Sequence, residues 1–132
     1  MKPVNMAVST PFGKRGSMWS CRKNSQGGIH TGDDFAVGSG TRLAAAVAGT
    51  IRHRNYGAAF GSHQFAISPS PGKPFSDGEV FYAHCRSRLA DGTEVQMGDY
   101  VGESGAEGNV SGPHLHFEFH PNAKGVWNCD VV

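Results

Sequence analysis

The sequence lacks long hydrophobic runs. None of its 132 residues belongs to an apolar stretch of about 18 or more, the length that a membrane-spanning helix needs. The first residues, MKPVNMAVSTPFG, contain one lysine and no apolar segment of the kind found in secretory signals. We therefore expect no membrane insertion and no signal peptide.

A strong charge of one sign is also missing. The formal net charge is +1, which gives no strong attraction to nucleic acids or anionic membranes. Residues 1–32 nevertheless hold five basic residues and no acidic one: Lys2, Lys14, Arg15, Arg22 and Lys23. This basic arm is compatible with a solvated loop face or with contact to a polyanionic wall polymer. Because it carries no recognisable nucleic-acid motif, we expect no nucleic-acid partner.

Cysteine is scarce. Cys21, Cys85 and Cys129 cannot all pair within one chain, and their spacing excludes C-x-x-C zinc and redox motifs. Cys21 in Trp-Ser-Cys and Cys129 in Trp-Asn-Cys lie near opposite ends and can form a bridge. The sequence leaves that pairing open.

Glycine, by contrast, is abundant. Nineteen glycines give about twice the usual share of about 7%, while only 38% of the residues are hydrophobic. This composition disfavours a helical bundle and favours short strands joined by turns. We predict one mainly β domain over residues 1–132, with an antiparallel sheet, an irregular arm over 1–29 and a motif-bearing core over 28–120.

Hydrophobic alternation and turn residues place the strands. The pattern predicts strands over 41–47, 50–54, 62–67, 79–84, 94–97, 100–103 and 114–120. The alanines of 41–47 favour helix by propensity, but the flanking glycines and short length favour a strand. Residues 68–78 and 104–112 are predicted to be loops.

The last of these strands has an ionisable face. Side chains alternate along a strand, so its two faces separate cleanly: His114, His116, Glu118 and His120 on one, and Leu115, Phe117 and Phe119 on the other. The apolar face is predicted to point to the core. Same-face neighbours lie about 7 Å apart, so two imidazoles can reach one ion. Alone, the H-x-H pattern is a weak metal signal.

A second group strengthens the metal hypothesis. His30 and Asp34 can converge through a tight turn at Gly32, and their nitrogen and oxygen donors suit zinc. Asp33 is a competing carboxylate. His84 is predicted to point outward with Tyr82, while Phe81 and Ala83 point inward.

Together these motifs resemble the lysostaphin-type (LytM-like) zinc endopeptidases of peptidoglycan. The matching segments run in the family's order over residues 28–120: His30-x-Gly32-x-Asp34-Phe35, Gly40-Thr41, Tyr82-Ala83-His84, Gly98-Asp99-x-Val101-Gly102, and Ser111-Gly112-Pro113-His114-Leu115-His116-Phe117-Glu118. The resemblance implies an antiparallel sheet that floors an active-site cleft walled by loops. It also supports a strand for residues 41–47.

The resemblance also implies roles for five residues: His30, Asp34 and His116 as ligands of one catalytic zinc ion, and His84 and His114 as catalytic histidines. Three protein ligands leave a fourth position for water, as catalytic zinc sites do. The division of roles between the two catalytic histidines stays open.

Other residues have no role in the resemblance. Glu118 is either an orienting partner of a ligand histidine or a solvated charge. His53, His63 and His120 match no motif, and the segment SMWSCRKNSQGG before His30 aligns with no family pattern.

The implied function is hydrolysis of amide bonds in the peptide cross-links of bacterial peptidoglycan. The competing hypothesis is a catalytically inactive family member that binds the wall or regulates a partner; retention of all five matched residues favours the enzyme. We expect a monomer that acts outside the cytoplasm, with any wall-binding domain elsewhere. Without a signal peptide, a phage-encoded lysin is expected, and a domain excised from a larger lysin is equally compatible. The scissile bond, in a glycine bridge or a direct diaminopimelate link, stays open.

Overall fold

The computed structural model describes all 132 residues as a chain of short strands with one 3-10 turn. The strands are β1 (Arg15–Gly16), β2 (Gly28–Ile29), β3 (Asp33–Phe35), β4 (Arg42–Ala44), β5 (Gly49–His53), β6 (Phe65–Pro69), β7 (Glu79–Ala83), β8 (Ser87–Arg88), β9 (Glu94–Val95), β10 (Tyr100–Glu103) and β11 (Leu115–His120). The 3-10 turn, Ala58–Phe60, lies between β5 and β6. No helix is long and apolar enough to cross a membrane.

Every strand pair is antiparallel, as predicted. Six strands form the main sheet in the order β3-β11-β7-β6-β5-β9, and three form a smaller sheet in the order β4-β10-β8. Strands β1 and β2 pair with each other within the N-terminal arm. Consecutive strands β5, β6 and β7 are neighbours, whereas β11 inserts between β3 and β7. That insertion brings the two ends of the motif-bearing core together.

The hydrophobic core lies between the two sheets. Ile51 and Phe65 of the main sheet belong to the same buried cluster as Leu43 and Val101 of the smaller one. Tyr82 of β7 points into this core. Its hydroxyl donates to the carbonyl oxygen of residue 44 at 2.7 Å and accepts from the backbone N–H of residue 46 at 3.0 Å. The main sheet thus packs one face against the smaller sheet.

Several strand bounds differ from the predictions. Residues 41–47 form a strand only at Arg42–Ala44, because the Tyr82 hydroxyl bonds the backbone around the end of that strand. Strand β6 begins at Phe65 rather than at residue 62, since the Gln64 amide donates to the carbonyl oxygens of residues 57 and 61 and folds this stretch into a loop. Strands β1, β2, β3 and β8 are too short for alternation to reveal.

The opposite face of the main sheet, which carries the ionisable residues of β11, is unexpectedly buried. His116 and Glu118 lie there beside Ala83 and Phe81, their cross-strand neighbours, and all four are buried. The ionisable face of β11 is therefore covered. The orientation predicted for β7 is reversed: Tyr82 faces the core, while Phe81 and Ala83 face the ionisable side.

Phe119 also departs from its predicted core position. The alternation of β11 holds, with Leu115 buried and Phe117 packed against the core, but Phe119 is 41% exposed. It lies near the end of the strand, where its ring packs edge-to-face with Phe75 from the loop between β6 and β7.

A disulfide joins the arm to the C-terminal segment. Cys21 and Cys129 are bonded across 108 residues of sequence, with their Cα atoms 5.2 Å apart. Cys85 is free and buried in the core. The pairing that the sequence left open is thus the one between the two Trp-x-Cys segments.

Candidate metal centre

The three predicted metal ligands meet at one point. His30, Asp34 and His116 each offer a donor atom within 4.8 Å of the other two. Asp34 Oδ1 lies 3.3 Å from His30 Nε2 and 3.0 Å from His116 Nδ1. Two imidazole nitrogens and one carboxylate oxygen form a donor set that zinc favours, with room for a further ligand.

Strand pairing and one glycine create this convergence. Asp34 of β3 lies directly across from His116 of β11. Gly32 lets the chain that carries His30 approach the same strand: a Cβ there would lie 2.4 Å from the carbonyl oxygen of Phe117. The predicted need for glycine is real, but its reason is close backbone approach rather than a turn with positive φ.

Each ligand histidine has its other nitrogen held by an acceptor. His30 Nδ1 donates to the carbonyl oxygen of Pro11 at 3.2 Å, and His116 Nε2 donates to Glu118 Oε2 at 2.7 Å. Such partners fix the ring orientation and tautomer of metal-binding histidines. His30 is therefore prepared to bind through Nε2 and His116 through Nδ1.

The charges around Asp34 also fit a cation. Burial opposes ionisation, but hydrogen bonds and charges from His116 and His30 hold the pKa of Asp34 well below its usual range. With its proton on Nε2, His116 has only a lone pair at Nδ1, and Asp34 Oδ1 is also an acceptor. The short contact between these two atoms therefore requires a second proton or a metal ion between them. A zinc ion would displace that proton.

Two further histidines flank the cluster. The His84 and His114 rings lie 4.9 Å apart, and His114 Nε2 is 3.7 Å from Asp34 Oδ1. His84 Nδ1 donates to the carbonyl oxygen of Glu107 at 2.7 Å, and His114 Nδ1 donates to that of Gly112 at 3.0 Å. Both catalytic candidates thus keep Nε2 free of protein hydrogen-bond partners, apart from the longer Asp34 contact.

His84 reaches this place through an unusual backbone conformation. Alternation along β7 would put it on the core face with Tyr82, but the strand ends at Ala83 and His84 has φ of 67°. A positive φ is uncommon for a residue with a side chain and persists where the surroundings impose it. Burial, with repulsion from the neighbouring His114 and His116, lowers the pKa of His84 to about 4, so the ring is neutral near neutral pH.

The cluster lies in a cleft of about 510 Å³ with aromatic walls. Trp19 packs on His30 with ring centroids 5.0 Å apart, and Phe60 stacks on His116 at 5.9 Å. Trp127 meets Phe60 edge-on at 5.6 Å. Sequence reasoning missed all three walls, although the shared Trp-x-Cys pattern around Trp19 and Trp127 was a signal that these segments meet.

The remaining candidates lie outside the cluster. Asp33 accepts the backbone N–H of Phe12 at 2.8 Å and shapes the arm instead of competing for metal. His53 Nε2 donates to the carbonyl oxygen of Leu89, and His63 pairs with Glu107 on the surface. His120 is fully buried beside Glu118, a location that no sequence pattern indicated.

Known proteins share this architecture. Over 98 residues the chain is 34% identical to an uncharacterised metalloprotease of Haemophilus influenzae, covering 74% of the chain and 20% of that protein. It is 31% identical to the peptidoglycan DD-endopeptidase ShyC of Vibrio cholerae over 70% of the chain and 20% of that protein. The chain therefore spans about a fifth of the length of these relatives.

Comparison with solved structures shows the same relationship at the level of the fold. The catalytic domain of lysostaphin from Staphylococcus simulans superposes with a TM-score of 0.74 at 23% identity, covering 96% of this chain and 86% of that domain. The fold is thus that of the lysostaphin catalytic domain. The model of peptidase family M23 matches residues 28–127, the region that carries all five predicted site residues. This chain belongs to peptidase family M23.

Proposed function

We propose that the protein is a zinc-dependent endopeptidase that hydrolyses amide bonds in the peptide cross-links of bacterial peptidoglycan. One observation carries the proposal: two imidazoles and a carboxylate converge in a cleft beside two further histidines with free Nε2 atoms. The peptidoglycan DD-endopeptidase among the relatives supports the substrate class. The chain keeps the three proposed ligands and both further histidines, which gives no support to a catalytically inactive member of the family.

His30 Nε2, Asp34 Oδ1 and His116 Nδ1 would hold the metal ion. When bound, zinc polarises a carbonyl group and lowers the pKa of a water molecule to about 7. The ionised Asp34 offsets part of the charge of the ion.

His84 and His114 would carry protons. Because His84 donates from Nδ1 to Glu107, its Nε2 lone pair is available, and its neutral state suits a general base. His114 also donates from Nδ1, to the carbonyl oxygen of Gly112, and its Nε2 lies 3.7 Å from Asp34 Oδ1. We propose that the neutral His84 accepts the proton of the attacking water at Nε2. His114 would act in its doubly protonated form, in which Nε2–H donates to the developing oxyanion or passes its proton to the leaving amine.

The site of action follows from the substrate. We propose that the protein works outside the cytoplasmic membrane, where peptidoglycan lies. Its phage origin, its monomeric state and the location of a wall-binding domain stay predictions. Mass spectrometry of muropeptides released from walls with glycine bridges and from walls with direct cross-links would identify the scissile bond.

The proposal is tested by separating metal binding from turnover. Purified protein should hold about one zinc ion and release muropeptides, and a chelator should abolish this activity until zinc is restored. His116→Ala should lose zinc and activity, whereas His84→Ala should keep zinc and lose activity. His53→Gln, which keeps a donor toward Leu89 outside the cleft, is the matched control. Equal zinc content and equal release in both site variants would contradict the assignment.

A further inference from the structure

A series of buried charged groups runs from the metal centre along one face of the main sheet. Glu118, His120 and Glu79 have no exposed surface, and neither the proposed ligands nor the proton-transferring histidines account for them. Burying ionisable groups is unfavourable unless each finds partners, so their presence calls for a reason.

Glu118 has every acceptor position filled. Oε2 accepts from His116 Nε2 and from the Thr31 hydroxyl, each at 2.7 Å. Oε1 accepts from His120 Nε2 and from the indole N–H of Trp127, each also at 2.7 Å. A carboxylate with four short donors is fixed in place, and its negative charge faces the nitrogen of His116 opposite the proposed metal-binding atom.

His120 is held between two carboxylates. Its Nε2 contacts Glu118 Oε1 at 2.7 Å, and its Nδ1 contacts Glu79 Oε2 at 3.2 Å. Ionised carboxylates only accept hydrogen bonds, so both ring nitrogens donate and the ring is a cation. Burial opposes that charge, but the two carboxylates outweigh it and raise the pKa of His120.

Glu79 links His120 to Arg54, which is partly exposed. Its Oε1 accepts from Arg54 at 2.9 Å and from the backbone N–H of Gly125 at 3.1 Å, and its Oε2 accepts from the Tyr56 hydroxyl at 2.6 Å. Charges therefore alternate along the series from Arg54 through Glu79 and His120 to Glu118. Each charge is compensated by its neighbours, which lets the carboxylate beside the metal centre stay ionised without solvent.

We propose that Glu118 and His120 are positioning residues of the metal centre: Glu118 holds His116 with its proton on Nε2 and Nδ1 toward the metal, and His120 keeps Glu118 in place. This inference rests on the metal site of the proposed function and assigns roles to two residues outside the ligand set. Without Glu118, the His116 proton could move to Nδ1 and bond Asp34, which would block the ligand position. Hydrogen-bond partners of ligand histidines typically change metal affinity by about 10- to 100-fold.

The test measures zinc affinity by competition with a chromophoric chelator. Glu118→Gln should bind zinc about 10- to 100-fold more weakly. His120→Gln should weaken binding in the same direction but less, because it acts through Glu118. The double variant should bind no more weakly than Glu118→Gln alone, as expected for residues that act in series. Glu103→Gln, which removes a surface carboxylate paired with Arg86, is the matched control.

A second measurement uses the unaltered protein and so does not depend on the folding of any variant. In ¹⁵N-labelled protein loaded with ¹¹³Cd, the ¹¹³Cd–¹⁵N coupling should appear at His116 Nδ1, with the proton on Nε2. Coupling at Nε2 would overturn the proposal, as would unchanged zinc affinity in a folded Glu118→Gln. Strictly additive losses in the double variant would overturn the role of His120.

The outcomes separate this inference from the proposed function. Protein that binds zinc with the predicted pattern of affinities but releases no muropeptides would refute the enzymatic function and leave the positioning roles intact. Protein that releases muropeptides while both variants keep full zinc affinity would refute only the positioning roles. Protein that binds neither zinc nor cadmium would overturn both.

Discussion

Removing the Cys21–Cys129 disulfide should destabilise the protein strongly. The bridge closes a segment of 108 residues, and it lowers the entropy of the unfolded chain accordingly. The loop-closure relation gives a loss of roughly 4.8 kcal/mol in the free energy of unfolding for a loop of that length. This is a large part of the roughly 5–15 kcal/mol that holds a typical domain together.

The measurement is urea unfolding of Cys21→Ser/Cys129→Ser in the presence of a chelator, which removes any contribution from metal binding. Trp19 and Trp127 are the only tryptophans and lie in the two segments that the bridge joins, so their fluorescence reports the relevant structure. Unaltered protein treated with a reductant should match the double variant. Cys85→Ala, which keeps the bridge, should remain sensitive to reduction.

The bridge should also affect the cleft. Trp19 packs on His30 and Trp127 on Phe60, so both walls depend on segments that the disulfide holds together. We expect the double variant to release muropeptides more slowly even under conditions where it is fully folded. A loss of less than about 1 kcal/mol, with the bridge confirmed by mass spectrometry in the parent protein, would refute the unfolded-state reasoning.

Two further predictions concern the sheet beneath the site. Gly32→Ala should destabilise the protein by about 1–3 kcal/mol and weaken zinc binding, because the new Cβ would approach the Phe117 carbonyl oxygen to 2.4 Å. Calorimetric zinc titration checks this, with Gly38→Ala as the control because no heavy atom lies within 4 Å of its Cβ; equal affinities would contradict it. Glu79→Gln should destabilise the metal-free protein most near neutral pH. Burial favours the protonated carboxyl, but its hydrogen bonds and Arg54 prevail and lower the pKa of Glu79 below its ordinary 4.5. The stabilisation is therefore present above about pH 4.5 and is lost as the pH falls through the folded pKa. Urea unfolding from pH 7 to pH 3 should show the difference between the two proteins shrinking, and a constant difference would argue against it.

The antiparallel fold and the convergence of the ligands could be predicted from the sequence. Motif order and alternation placed His116 and Leu115 on opposite faces of the last strand, and the structure has them there. The sequence predicted a tight turn at Gly32, whereas the structure needs glycine there because the backbone comes close to Phe117. The faces of the last strand depend on local pattern, which a single sequence contains, whereas the grouping of His116 with His30 and Asp34 came from the resemblance to a known family.

What escaped prediction depends on distant segments. Alternation separates the faces of a strand but does not say what covers them, so the burial of Glu118 and His120 under Trp127 and its neighbours was invisible. His84 was predicted to share a face with Tyr82, but the two side chains lie on opposite sides because the positive φ of His84 ends the alternation. The disulfide partner of Cys21 was undetermined because connectivity is a property of the fold.

The glycine-rich loop, residues 104–112, supports the two catalytic candidates in a particular way. It holds His84 and His114 through the carbonyl oxygens of Glu107 and Gly112, whereas strand pairing holds Asp34 against His116. Backbone carbonyls are present whatever the side chains, so the loop can change sequence without losing these contacts.

The consequence concerns how such an enzyme can be altered. The proposed metal ligands and the proposed proton-transferring histidines are supported by different parts of the chain, so we expect that selection can act on one group with little effect on the other. A library that varies Asn109, Val110 and Ser111, whose side chains make no hydrogen bond to either histidine, would sample the cleft wall while leaving the ligand framework untouched. The loop is thus the natural place at which substrate preference can diverge while the metal centre stays constant.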